Sequence, residues 1–327
     1  ELGVALADDF PLIGCCAVQC NTTCDGSLMG NGIEARSFKI PTFQLAVPIR
    51  HRQESVQEYA AEEVVNAIHF IEEQTGEKFD WDAFFKSMKR FNAETEEFLE
   101  WMEISKTDYP QVMGVTLALY RYGVYQAAGG RNQAFLDMDK KLTKMALDAY
   151  KSKEMAAKEY RHRAMTWGVQ AAYYTALPIW LLNCWGVVTI ADMLSMVSTE
   201  MVNTEDKHQA MLDLAYLYEN MIMRNRSNGG YETGVEALWR FCEMFNIDIV
   251  IMYVHMGCKS MSGYHGLFEE EARKHGIHLI WVTHNLMCPE DGTRRDMRTE
   301  INRYMRTVFR EEPLDPSLED FDDSKSW

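Results

Sequence analysis

The sequence predicts an α/β protein with two parallel-sheet lobes and a helical block between them. Three observations carry this. Apolar strand-like runs alternate with helix-length segments at both ends of the chain. Residues 53–160 switch to helical spacing of their apolar positions. The 327 residues, 47% hydrophobic, suffice for two or three packed bodies.

Residues 10–17 (FPLIGCCA) read as a short buried strand, with Cys20 in the turn and Cys24 at the start of the next element. Residues 40–47 (IPTFQLAV) read as a second strand, closed by Pro48. The helix-length segment between them makes a βαβ unit and so a parallel pair. Residues 1–52 are then the remainder of a first lobe, and we expect part of that lobe to lie upstream of Glu1. Residues 53–160 form the helical subdomain, with Asp80 capping a helix and a long charged helix over 135–160. Residues 161–312 form the second lobe. Its strands are expected at 164–170, 187–191, 247–254 and 277–283. A short helix contains Trp180 to Leu182, helices cover 205–225 and 231–245, Gly276 ends another, and the last spans 293–310. His162 and Arg163 are expected on the surface, and 313–327 is read as a loosely held acidic tail.

A net charge of −16 disfavours nucleic acid and anionic membrane as partners. The most apolar stretch, Val187 to Val197, is too short to span a bilayer and contains Asp192. Residues 1–10 lack a basic segment and carry Asp8 and Asp9, so no secretion signal is read there and a cytoplasmic location is expected. The eight cysteines are then expected as reduced thiols, with metal binding or catalysis ahead of disulfides. Cys184 and Cys242 lie among apolar helix residues and read as core. Neither a Walker motif nor GxGxxG is present, so nucleotide binding is not expected.

In open parallel sheets, ligands bind beyond the carboxyl ends of the strands. Cys20 follows one strand and Cys258 another, in different lobes. A Gly-Cys-Lys turn before a helix favours a thiolate at Cys258. Sulfur donors suit zinc or an iron–sulfur cluster, and the group Cys15, Cys16, Cys20, Cys24 lacks the Cys-x-x-Cys of common zinc ribbons and ferredoxins. His255 and His265 flank Cys258 and are candidates to move protons; Ser260 and Ser262 are candidate contacts beside them.

These segments resemble a known family. CNTTC at 20–24 followed by EARSFKIPTFQLAVP at 34–48, EEQTGEKFDWDAF at 72–84, HRAMTWG at 162–168 and VHMGCKSMSGYHG at 254–266 are similar to the 2-hydroxyacyl-CoA dehydratases, a family that includes the ATP-dependent benzoyl-CoA reductases. The similarity is to the larger, 2-hydroxyglutaryl-CoA-type subunit, and implies Rossmann- or flavodoxin-like lobes. It further implies a 4Fe–4S cluster held by three cysteines, two matched by Cys20 and Cys258, with Cys24 secondary. The third lies upstream of Cys20 in the family, and Cys15 and Cys16 sit too close to Cys20 to match it.

The implied partners are a homologous second subunit and an ATP-hydrolysing iron–sulfur activator; the implied substrate is an acyl-CoA. The implied reaction is one-electron: a ketyl radical on the thioester expels hydroxide and acidifies the β-proton. The sequence departs from the family pattern after the last strand, where acids and arginines give way to Asn285, Cys288, Glu290 and Glu300. A re-paired local network is expected there. Three other readings stay open: an aromatic acyl-CoA reductase subunit, a non-catalytic electron-relay or structural subunit, and a zinc protein.

Overall fold

The computed structural model describes residues 14–21, 25–48, 54–111, 133–193, 200–220 and 231–321. It is a mixed α/β structure with two parallel sheets. Described residues of 1–95 and 198–234 form one compact unit, and those of 96–197 and 235–327 a second.

The first unit holds the βαβ element. Strand β1 (Ala17–Cys20) pairs in parallel with β2 (Thr42–Leu45), in the register Ala17↔Thr42 to Cys20↔Leu45. Helix α1 (Asp25–Phe38) makes the crossover. The first strand departs from expectation. Residues 14–16 are not strand, 10–13 lie outside the described residues, and Cys20 ends β1 rather than sitting in the turn. Pairing with β2 decides this, because the ladder starts where Ala17 N–H meets the Pro41 carbonyl (2.9 Å). Asn21 then clasps the far end: its Oδ1 accepts Val47 N–H (2.8 Å) and its Nδ2 donates to the Val47 carbonyl (3.3 Å).

Helices α2 (Glu54–Thr75) and α6 (Lys207–Glu219) pack in this unit. Buried Ala60 and Ala61 meet a partner helix whose own buried face is Ala210, Met211 and Ala215. Small side chains let the backbones approach, so Tyr218 OH reaches the Ala60 carbonyl (2.9 Å). Helix α3 (Trp81–Ser105) starts at its expected cap, with Asp80 Oδ1 accepting Ala83 N–H (2.9 Å).

The second unit is built on a four-stranded parallel sheet in the order β4-β3-β5-β6. Its strands are β3 (His162–Trp167), β4 (Val187–Asp192), β5 (Ile249–His255) and β6 (His278–His284). Six of the seven β5 residues are buried, as expected for a strand covered on both faces. Ile249, Ile251 and Tyr253 share a core with Ile280 and Val282 of β6. Leu177, Leu181 and Trp185 of α5 (Leu177–Trp185) and Met297 and Ile301 of α10 (Arg294–Tyr304) close that face. The other helices here are α4 (Gln133–Lys151), α7 (Tyr231–Phe245), α8 (Lys259–Gly263) and α9 (His265–His275). Gly276 takes up the left-handed conformation that stops α9, as expected (φ +68°).

Three sequence expectations change in this unit. Arg163 is not a surface residue: it lies within β3, half-buried, and its guanidinium donates to the carbonyls of Ser105 (2.7 Å), Thr107 (2.9 Å) and Phe245 (3.0 Å). Those carbonyls lie at the ends of α3 and α7, where helices leave acceptors without intrahelical partners. His162 likewise opens β3, with its ring against Phe309 and its Nε2 bonded to Glu311 (2.9 Å). The charged helix stops at Lys151 rather than 160.

The acidic tail is tied down as far as Phe321. Trp180 Nε1 donates to the Leu318 carbonyl (2.8 Å) and Arg306 pairs with Glu312 (2.8 Å) and Glu319 (2.7 Å). Among the described residues, no helix is long and apolar enough to cross a membrane.

Candidate functional site

The carboxyl ends of β3, β4, β5 and β6 gather one edge of the second sheet, and Cys258 lies just beyond β5. The turn that places it is fixed by backbone bonds. Met256 N–H reaches the His284 carbonyl (3.0 Å) and Cys258 N–H reaches the His255 carbonyl (2.8 Å). Cys258 is extended (φ −90°, ψ 95°) and stands at the N-cap of α8. Its carbonyl accepts Ser262 N–H (3.2 Å) and Ser262 Oγ (3.2 Å), while its sulfur makes no capping bond. The thiol is half-buried at the start of that helical turn.

The structure brings His255, Ser260 and Ser262 to this turn. His255 ends β5, and its Nδ1–H points at the His284 carbonyl (3.4 Å). Its Nε2 lies 3.2 Å from where a side chain on Gly257 would begin. Ser260 Oγ is buried, with no hydrogen-bond partner among the described residues. Ser262 is spent on the Cys258 carbonyl. His265 faces elsewhere: its ring packs on Trp281 (centroids 4.0 Å), whose Nε1 donates to Glu269 (2.6 Å).

His284 was not anticipated from the sequence. It is fully buried at the end of β6, opposite His255 in register. Its Nε2 meets the Val169 carbonyl (2.9 Å), which fixes Nε2 as the protonated nitrogen. Burial holds its pKa below the ordinary histidine value, with His255 adding in the same direction. A neutral His284 therefore links the end of β6 to the chain just after β3, opposite His255 at the end of β5. The signal was present in IHLIWVTH, where a histidine closes an apolar strand, but only the register gives it meaning. His284→Leu should cost about 1–3 kcal/mol in urea unfolding, because the Val169 carbonyl loses its donor. His284→Gln, which can still donate from its side-chain amide, should recover much of that. Equal stability of both variants would remove the anchoring role.

A second buried polar line runs along the same edge. Thr166 Oγ1 donates to Asp192 Oδ2 (2.6 Å), and burial followed by the Asp192 charge pushes the Tyr253 phenol up. Arg298 donates to Tyr174 OH (3.0 Å). Tyr253 is thus held neutral.

In the first unit, Cys20 ends β1, half-buried, with its carbonyl accepting Asn31 Nδ2 of α1 (3.1 Å). Cys24 lies outside the described residues; Asp25, which follows it, begins α1. Cys184 and Cys242 are core residues as expected. Burial pushes both thiols up to about 12, which excludes them as ready thiolate donors. Among the described residues, no three or more His, Cys, Asp and Glu side chains gather into a metal-binding group.

The altered positions after β6 have local partners. Asn285 Oδ1 accepts from Met287 and Cys288 amides (3.3 Å each) and its Nδ2 donates to Asp291 (3.1 Å). Cys288 donates to Glu290 (3.0 Å), which lowers the Glu290 pKa and raises that of the thiol. Glu300 pairs with Arg303 one turn along α10.

No curated protein sequence matches the chain. The family described as 2-hydroxyglutaryl-CoA dehydratase, D-component, matches residues 1–304. Most of the chain is covered by that match, and the chain belongs to the 2-hydroxyglutaryl-CoA dehydratase D-component family.

Proposed function

We propose that this chain is the iron–sulfur subunit of a complex that eliminates water from a 2-hydroxyacyl-CoA. The family makes it a dehydratase-type subunit of a multicomponent enzyme. The observation that carries the finer reading is Cys258, a half-buried thiol at a strand end and helix start whose sulfur makes no capping bond. That donor fits a 4Fe–4S cluster, since thiolates are its usual ligands. Within this chain we assign to it Cys258, and from the family resemblance Cys20, with Cys24 secondary. When bound, the cluster supplies the low-potential electron that lets the thioester become a ketyl radical and release hydroxide.

The chain's own residues then have three tasks. Ser260 Oγ, buried with no partner among the described residues, is assigned to hydrogen-bond an acyl-CoA oxygen beside the Cys258 turn. His255, with Nδ1–H directed at the His284 carbonyl, keeps its Nε2 lone pair for the proton leaving the substrate β-carbon. The buried edge of Tyr253 and His284 excludes water from the base of the turn. The implied partners are the homologous second subunit and the ATP-hydrolysing activator.

A second reading is an electron-relay subunit. It is favoured by the surface network that occupies Asn285, Cys288 and Glu290.

The test is the complete complex under anaerobic conditions with ATP, a reductant and a panel of acyl-CoA thioesters. Elimination from 2-hydroxyacyl thioesters without reduction of aromatic ones is expected. Ring reduction alone would replace the dehydratase reading with the reductase one; iron with neither activity would select the relay. Cys20→Ser is expected to release iron and Cys24→Ser to keep most of it. The opposite pattern moves the assignment to Cys24.

A further inference from the structure

Gly257 is a glycine that its backbone does not require. It is third of the four residues in the turn from His255 to Cys258, which Cys258 N–H closes on the His255 carbonyl (2.8 Å). Gly168, Gly186, Gly276 and Gly292 all have positive φ, where side chains are strained. Gly257 is not among them, and it is exposed. Neither conformation nor close packing by the fold therefore excludes a side chain there.

What marks the position is the ring beside it. Beyond its chain neighbours, the three nearest described atoms to a Cβ built on Gly257 all belong to His255: Nε2 at 3.2 Å, Cε1 at 3.6 Å and Cδ2 at 3.8 Å. We infer that Gly257 is a specificity-determining residue, which by carrying no side chain keeps the Nε2 corner of His255 open to the β-carbon of the acyl thioester. This rests on the proposed role of His255 as the base.

The distances show why a single methyl matters. A base must come within about 2.6–3.2 Å of the atom whose proton it takes. A methyl carbon 3.2 Å from Nε2 crowds the approach to that same nitrogen. Relief by moving the ring would lengthen the bond from Nδ1 to the His284 carbonyl, already 3.4 Å, and would turn Nε2 away from its line. The effect should grow with bulk on the substrate β-carbon, because a branch there meets the added methyl and a hydrogen clears it.

The test compares the complete complex with its Gly257→Ala variant, anaerobically with ATP and a reductant. The substrates are 2-hydroxybutyryl-CoA and its 3-methyl homologue. We expect kcat to fall at least about tenfold with the first and further with the second. Iron content should not change, and the urea midpoint should hold or rise slightly, because alanine at an unstrained turn position restricts the unfolded chain. A glycine with only a structural role would instead lower the midpoint. Gly263→Ala is the control: that glycine is exposed at the end of α8 with no described atom beyond its own helix within 4 Å, and both rates should stay as they are.

A second measurement reads access to the nitrogen directly. Carbethoxylation of His255 by diethyl pyrocarbonate, followed by peptide mass spectrometry against the exposed His208, should slow severalfold in Gly257→Ala. Unchanged modification of His255 would overturn the inference, whatever the activity. Slowed modification with undiminished elimination would overturn it as well. A natural complex that eliminates no water would sink the proposed function itself, and the modification rates would then decide the access claim alone.

Discussion

Gly168→Ala is expected to destabilise the second unit by at least about 3 kcal/mol, measured as a shift of the urea unfolding midpoint. Gly168 follows the last residue of β3 with φ +99°, a conformation that side chains strain to adopt. A Cβ there would lie 2.3 Å from the Tyr253 carbonyl oxygen. That oxygen is backbone within β5, so relief requires a strand to move. Moving β5 would disturb Tyr253 and, five residues beyond it, Cys258. Loss of iron is therefore expected to accompany loss of stability. Gly276→Ala is the control. Its φ is +68°, but beyond its chain neighbours no described residue comes within 4 Å of the added carbon, so only the conformational cost of about 1 kcal/mol applies. Similar effects at the two glycines would show that the contact with β5 is not the cause.

Cys258→Ala should behave in the opposite way: iron lost, fold kept. The residue has an ordinary extended backbone and a half-buried side chain, so alanine introduces neither strain nor a large cavity. The turn is held by the Met256 and Cys258 amides, which the substitution leaves in place. Iron content should fall to near background while the unfolding midpoint of the apo chain moves by less than about 1 kcal/mol. Cys288→Ala provides the contrast, since its thiol is spent on Glu290 and the variant should keep its iron.

Much of this architecture was legible in the sequence because it follows from hydrophobic period. The run IDIVIMYV can only be a strand buried on both faces, and the helices between 53 and 105 announce themselves by apolar spacing and by Asp80. What failed was local or long-range. The apolar run FPLIGCCA predicts an earlier strand, whereas pairing with β2 starts the ladder at Ala17. Arg163 looked like a surface charge, yet helix ends distant in sequence supply its acceptors. The tail looked free because it is acidic, and Arg306 with Trp180 holds it.

The site divides the same way. Cys258 was visible from a Gly-Cys-Lys turn after a strand, and the structure puts His255 and Ser260 beside it. His265 was chosen by proximity in sequence, but the α9 helix turns it onto Trp281. His284 was missed because its role is created by β5–β6 register and by the Val169 carbonyl, neither of which a linear reading contains.

The central claim, that this chain holds an iron–sulfur cluster through Cys258, is tested most directly by iron and acid-labile sulfide analysis of the anaerobically purified complex. The reduced sample is followed by electron paramagnetic resonance, for the natural chain and Cys258→Ala side by side. Iron and sulfide in equal amounts with a cluster signal are expected in the natural chain, and neither from this subunit in the variant. A folded Cys258→Ala chain that retains full iron content and an unchanged signal would contradict it.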